Sequence, residues 1–286
     1  MAWVLGAVLL FALAGLIYTP YAPSAQIARE AALSGPSASH WLGVDALGRD
    51  LFSRLWRGTG NTVVMALGAV AGSLLLSSLL LAGEELGPRW LGRGIALLVN
   101  LWVAIPVFFV GLLLLIALSA SPGVLVLAAA LGNVPLAYRQ LRVLWRGQQA
   151  ALHVESSRVL GAGPWEVFIF ALWPGLWPDL LALVRLVFAL AALELSGLAF
   201  LGLIGNPDFP ELGTILRQHL GDVHRAPSLV LWPGLCLSAL LALVHAAGPL
   251  PKPPGGGEAP LERKCKIRVK TAIASLLGCI RIGNRA

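Results

Sequence analysis

Apolar residues are gathered into long runs at roughly 2–19, 62–83, 94–118, 123–144, 179–203 and 229–247. A helix needs about 20 apolar residues to cross ~30 Å of hydrocarbon, so the pattern predicts an all-α integral membrane protein with about six transmembrane helices. Within the fourth run, GVLVLAAALGNVPLAY carries Asn133 and Pro135 and leads into Arg139, Arg142 and Arg146, so its last part is predicted to leave the membrane. The first run lacks a basic leader and a clean small-x-small cleavage site, and it reads as a retained helix.

Two stretches between the runs have a pattern of their own. Residues 40–61 read as a turn followed by a short helix leading into the second run. Gly43 and Gly48 permit tight turning, Asp50 is placed to cap a helix start and to pair with Arg54 at i, i+4, and Leu51, Phe52, Leu55 and Trp56 form an apolar face. On the residues alone this is an interfacial anchoring helix. Residues 151–162, ALHVESSRVLGA, read as a short amphipathic helix stopped by Gly161 and Gly163, with Pro164 opening the next. Leu152, Ser156 and Val159 share a stripe, and Glu155 and Arg158 flank it. Two readings stand: an ordinary connecting loop, or a helix offered to a groove on a partner.

Composition agrees with a bilayer, at 57% hydrophobic and 12% charged residues. Positive residues are retained on the cytoplasmic side, so Arg139, Arg142, Arg146 and Arg158 place the stretch between the fourth and fifth runs inside, with both termini. The outer loop with Arg29, Arg49, Arg54 and Arg57 runs against that bias. In the last 36 residues, eight Lys and Arg less Glu258 and Glu262 give +6 of the net +7. This basic tail, 249–286, is predicted to be disordered and to face anionic membrane lipid; nucleic acid is not needed to explain the charge. Cys236, Cys265 and Cys279 are expected to be free thiols.

Three motifs resemble one family. His40, Leu42, Gly43, Asp45, Gly48, Arg49, Asp50, Ser53 and Arg54 resemble the H-x-L-G-T-D-x-x-G-R-D-x-x-S-R signature of the inner-membrane permeases of dipeptide, oligopeptide and nickel ABC importers, with Val44 in place of Thr. SGLAFLGLIGNPDFPELGTIL, 196–216, resembles a second family segment, with Leu212 where Trp is usual. Glu155, Gly161 and Pro174 match the spacing of E-A-A-x-x-x-G, nine residues, I-x-L-P, with Ser156 and Ser157 replacing the alanines and Ala171 and Trp173 replacing Ile and Leu. The resemblance implies the type I ABC importer permease fold in a prokaryotic inner (cytoplasmic) membrane. It divides the chain into a first helix at 1–19, a periplasmic loop at 20–61, a core of five helices at 62–248 with a coupling helix near 151–162, and the tail. It also implies that Glu155, Ser156, Ser157, Arg158, Gly161 and Pro174 meet an ATPase. The implied partners are a second, different permease, two ATPase subunits and an extracytoplasmic solute-binding protein. This chain has no G-x-x-x-x-G-K-[ST] and no lysine before Lys252, so it is expected to bind no cofactor, with ATP and Mg used by the ATPase subunits.

Polar residues within the runs are candidates for a translocation path: Asn100, Pro106, Arg185 and Glu194. Arg185 and Glu194 are nine residues apart, about 180° around a helix, and cannot pair within it. Arg185 has a second reading, snorkelling to an interface. Pro106 is expected to kink the third run. His40, His219 and His224 suggest a metal site only weakly, and loop residues meeting the binding protein are the plainer reading. A membrane-embedded protease is the alternative from another class, but Ser196-Gly197 lacks the preceding glycine and no histidine lies at matching depth apart from His245 near an inner end. An exporter or channel is disfavoured by the loop signature. The cargo stays open among peptide, nickel and related small solutes.

Overall fold

The computed structural model describes residues 2–206 and 208–246, so the basic tail lies outside the described residues. Its order is α1 (Ala2–Ile17), α2 (Leu51–Leu86), α3 (Arg89–Val103), α4 (Val107–Leu118), α5 (Pro122–Gln149), α6 (Leu152–Val159), the single turn α7 (Pro164–Glu166), α8 (Trp173–Phe200), α9 (Leu212–Gln218) and α10 (Ser228–Ala246). A π-helical stretch, Val167–Leu172, joins α7 to α8.

Among the described residues four helical stretches are long and apolar enough to span a membrane, and α3 with α4 makes a fifth bent by 90°. With 16 residues, α1 reaches about 24 Å, somewhat short of the hydrocarbon thickness. Several expectations shift here. The short helix expected within 40–61 is not a separate element: α2 runs unbroken for 36 residues from Leu51. The Asp50 side chain caps it at the Ser53 amide, 2.8 Å, and takes His40 Nδ1 at 2.9 Å. Committed in this way, Asp50 does not pair with Arg54. The third run breaks outright, because Ala104, Ile105 and Pro106 leave the helix together, whereas a proline kink alone would have bent it. The fourth continues as one helix through Pro135 to Gln149, its basic end held by Glu84 of α2, 2.5 Å from Arg142 and 2.9 Å from Arg146.

Burying apolar surface gives little drive between helices in lipid; close packing of small residues does. The core accordingly joins Ala66 and Ala69 of α2, Ala128 and Ala129 of α5, and Ala191, Ala192 and Ala199 of α8, with Leu115 of α4. Gly60 lets α2 approach the Ala12 carbonyl of α1, and Gly132 admits Val107 of α4 against α5. The helix bundle has two polar ends. One carries residues 40–54 and α9; the other carries α6.

Candidate functional site

At the first end, polar groups are buried and almost all paired. Gly43 and Gly48 take φ +89° and +80°, conformations open to glycine, and fold the loop so that Asp45 receives the Arg49 amide at 2.8 Å and its Nε at 2.6 Å. Arg49 reaches on to Asp208 at 3.3 Å and Gln218 at 3.2 Å. Arg54 donates to Gln218 at 2.7 Å and to the Pro23 carbonyl at 3.3 Å, and its Nε lies 3.9 Å from Asp45. Arg49 and Arg54 are therefore buried tethers between the loop, α2 and α9. The interfacial reading, in which arginines face headgroups, is corrected, because Asp45 and Gln218 supply acceptors inside the protein.

His219, beside this cluster, is buried with neither ring nitrogen bonded among the described residues. Burial lowers its pKa to about 4, with Arg54 and Arg49 adding to the effect and Asp45 opposing it, so the ring is neutral at pH 7. His40 pairs with Asp50 and His224 is exposed. No three His, Cys, Asp or Glu among the described residues are grouped to hold a metal ion.

A second buried group was not singled out from sequence. Glu211 caps α9 through the Thr214 amide at 3.1 Å and accepts the hydroxyls of Ser196 at 2.6 Å and Thr62 at 3.0 Å. Asn61 adds a bond to the Pro210 carbonyl at 2.7 Å. Gly213 packs on the Ser196 carbonyl, where a Cβ would collide. Burial raises the Glu211 pKa, opposed by these hydrogen bonds. The acidic cap before an apolar turn is visible in PELGTIL; its donors lie on two distant helices and are not. Ser196, considered above as a nucleophile, spends its hydroxyl on this carboxyl group.

The other end is built differently. α6 ends at Val159, and Gly161 takes φ +87°, reversing the chain toward α7. Val154 is its one buried residue, packed with Val167, Ala171 and Leu172, and His153 Nε2 lies 3.1 Å from the Ala171 carbonyl. The stripe that carries Leu152 and Val159 faces outward, 81% and 82% exposed, and Leu160 beside it is 87% exposed. Ser156 and Ser157 return their hydroxyls to the Leu152 and His153 carbonyls, both 2.8 Å. Glu155 and Arg158 are exposed, and neither forms an ion pair among the described residues. Pro174 stands in the first turn of α8, directly after the π-helical stretch.

Inside the bundle, Glu194 accepts from Asn133 Nδ2 at 2.6 Å, and the exposed Asn100 accepts from Arg139 at 2.9 Å. Arg185 is half-buried, and Pro106 lies in the exposed break between α3 and α4.

Residues 74–246, which include α6, the break and Glu211, match the family described as binding-protein-dependent transport system inner membrane component. The chain belongs to this family. It is 31% identical over 209 residues to the glutathione transport system permease protein GsiD of Pectobacterium atrosepticum, covering 71% of this chain and 67% of that one. It is 32% identical over 239 residues to the di/tripeptide transport system permease protein DppC of Pseudomonas aeruginosa, covering 80% and 77%. A solved structure of the MetNI methionine ABC transporter in an inward-facing conformation matches with a TM-score of 0.50 at 16% identity, over 68% of this chain and 97% of that chain, which shows the type I importer permease fold. The binding-protein-dependent permease is thus a multi-pass inner-membrane subunit of an ABC importer. ATP hydrolysis belongs to a separate ATPase subunit, and a solute-binding protein delivers the cargo.

Proposed function

We propose that this permease carries peptides or peptide-like solutes such as glutathione, and that α6 is the coupling helix by which ATPase closure reaches the membrane path. The cargo reading is supported by relatives named for glutathione and di/tripeptide transport, and by the loop signature at 40–54. In this reading a second, different permease completes the path, two ATPase subunits bind ATP and Mg on the cytoplasmic side, and the end bearing residues 40–54 meets the binding protein. Membrane lipid surrounds the remaining apolar faces.

One observation carries the coupling role: a helix of eight residues presents Leu152, Val159 and Leu160 to the outside while its polar side chains are satisfied locally or exposed. Such an apolar crown with a charged rim suits a groove on a soluble protein. α6 follows α5 after a two-residue link and leads through Gly161 and the π-helical stretch into α8, so a pull on it would tilt both core helices against α2 and α4.

In the assembled transporter, Gly161→Pro and Glu155→Lys are expected to abolish ATP-coupled peptide uptake, with membrane insertion retained. Proline fixes φ near −65°, far from the +87° at Gly161, and Glu155→Lys reverses charge at the rim. Wild-type uptake by both variants would remove the coupling role.

A further inference from the structure

The break between α3 and α4 leaves backbone exposed where lipid cannot serve it. The Ala104 and Ile105 amides turn back to the Leu101 and Trp102 carbonyls at 3.1 and 3.0 Å, and the Phe109 amide bonds Pro106 at 2.9 Å. The carbonyls of Val103, Ala104 and Ile105 accept no bond among the described residues. Ala104, Ile105 and Pro106 are exposed.

Depth makes this costly. Val107 packs on Gly132, ten residues along α5 from Pro122, or about 15 Å into a core of about 30 Å. Each unsatisfied polar group in hydrocarbon costs several kcal/mol, so irregular backbone at that depth faces protein or water.

Glu194 lies at the same level. The Phe108 ring packs on Gly197, and Gly111 meets Leu198, so α4 and α8 rise side by side. Glu194, one turn before Gly197 on the same face, is level with the break. Its Oε2 accepts from Asn133, which itself bonds the Ala129 carbonyl, while its Oε1 has no partner among the described residues. In the first turn of α4 the Val107 and Phe108 amides have no partner among the described residues, so the break offers donors as well as acceptors. The carboxyl group tips the balance toward cations.

We infer that the break and Glu194 form a mid-membrane, water-filled acceptor site on the transport path that takes the ammonium group of the solute. The natural ligand rests on the peptide-import reading above; the cation preference rests on the geometry alone, and it is tested with reagents that need no cargo. In the full chain, assembled with its partner permease and ATPase and carrying Cys236→Ser, Cys265→Ser and Cys279→Ser, cysteines are placed one at a time at Ile105 and Leu113. Leu113 is 64% exposed on the apolar α4. Each is treated with a cationic trimethylammonium-ethyl and an anionic sulfonatoethyl methanethiosulfonate, with rates divided by those of a free thiol.

Ile105→Cys is expected to react about tenfold faster with the cationic reagent. Glu194→Gln brings that ratio to about one, Glu194→Asp retains it, and Leu113→Cys stays unreactive. A ratio near one at Ile105→Cys overturns the site, as does a ratio unmoved by Glu194→Gln. Equal reactivity at the two positions, fast or slow, overturns it too. If the cation bias is present while the transporter takes up no peptide, the peptide reading falls and the site stands.

Discussion

The two polar ends of the permease use charge in opposite ways. At the first end, Asp45, Arg49, Asp50 and Arg54 are buried: Asp45 pairs with Arg49, Asp50 takes His40, and both arginines reach Gln218. At the α6 end, Glu155 and Arg158 stand exposed beside bare Leu152, Val159 and Leu160. A buried ion pair gives modest net stability but fixes geometry, because breaking it leaves a charge without solvent. The first end therefore holds loop, α2 and α9 in one arrangement. An exposed apolar crown gives this chain nothing by itself; under the proposed coupling role its value lies in a partner. One end pairs its charges within the subunit, whereas the other leaves apolar residues bare, as the proposed coupling interface requires.

The difference has measurable consequences, the largest at Arg54. Arg54→Ala leaves Asp45 and Gln218 short of a buried partner and is expected to cost about 3–5 kcal/mol, seen as a collapse of folded yield or a much lower thermal midpoint in detergent. A change of under 1 kcal/mol would mean that the cluster is wetter than its geometry indicates.

A smaller effect comes from His219. Its folded pKa, about 4, lies below the ordinary 6.5, so the unfolded chain binds the extra proton first. The stability associated with the neutral ring is complete above pH 6.5 and is lost as pH falls toward 4, by about 3 kcal/mol in all. Glu211 acts in the opposite sense, since its raised pKa favours the folded state at low pH. Comparing thermal unfolding at pH 7 and pH 4.5 for the wild type and His219→Phe isolates the histidine: the variant should lose less stability on acidification. Equal losses in both would place the His219 ring in contact with solvent.

Much of the architecture is readable from residue order. The apolar runs mark the helices, Asp50 marks the start of α2, and Gly161 marks the end of the short helix near 151–162. Other features depend on partners far along the chain. Arginines beside a membrane-spanning run look like interface anchors, and only the approach of Gln218, more than 160 residues away, makes Arg54 a buried tether. Glu211 shows in sequence as a cap before an apolar turn, but its buried network does not, because Thr62 and Ser196 come to it from other helices. Pro106 announces a bend, but its size follows from Ala104 and Ile105 leaving the helix and Val107 seating on Gly132. On α6 the periodicity finds an apolar stripe without telling which side packs, and Val154, off that stripe, is the residue that does.

The claim that the α6 end is half of an interface is tested most directly by retention of the ATPase. Leu152→Asp with Leu160→Asp, in a tagged permease co-expressed with its partners, changes only exposed side chains and should leave the thermal midpoint of the permease within about 0.5 kcal/mol equivalent of wild type. The ATPase is expected no longer to copurify with this variant. Retention at the wild-type level, with an unchanged midpoint, would contradict it.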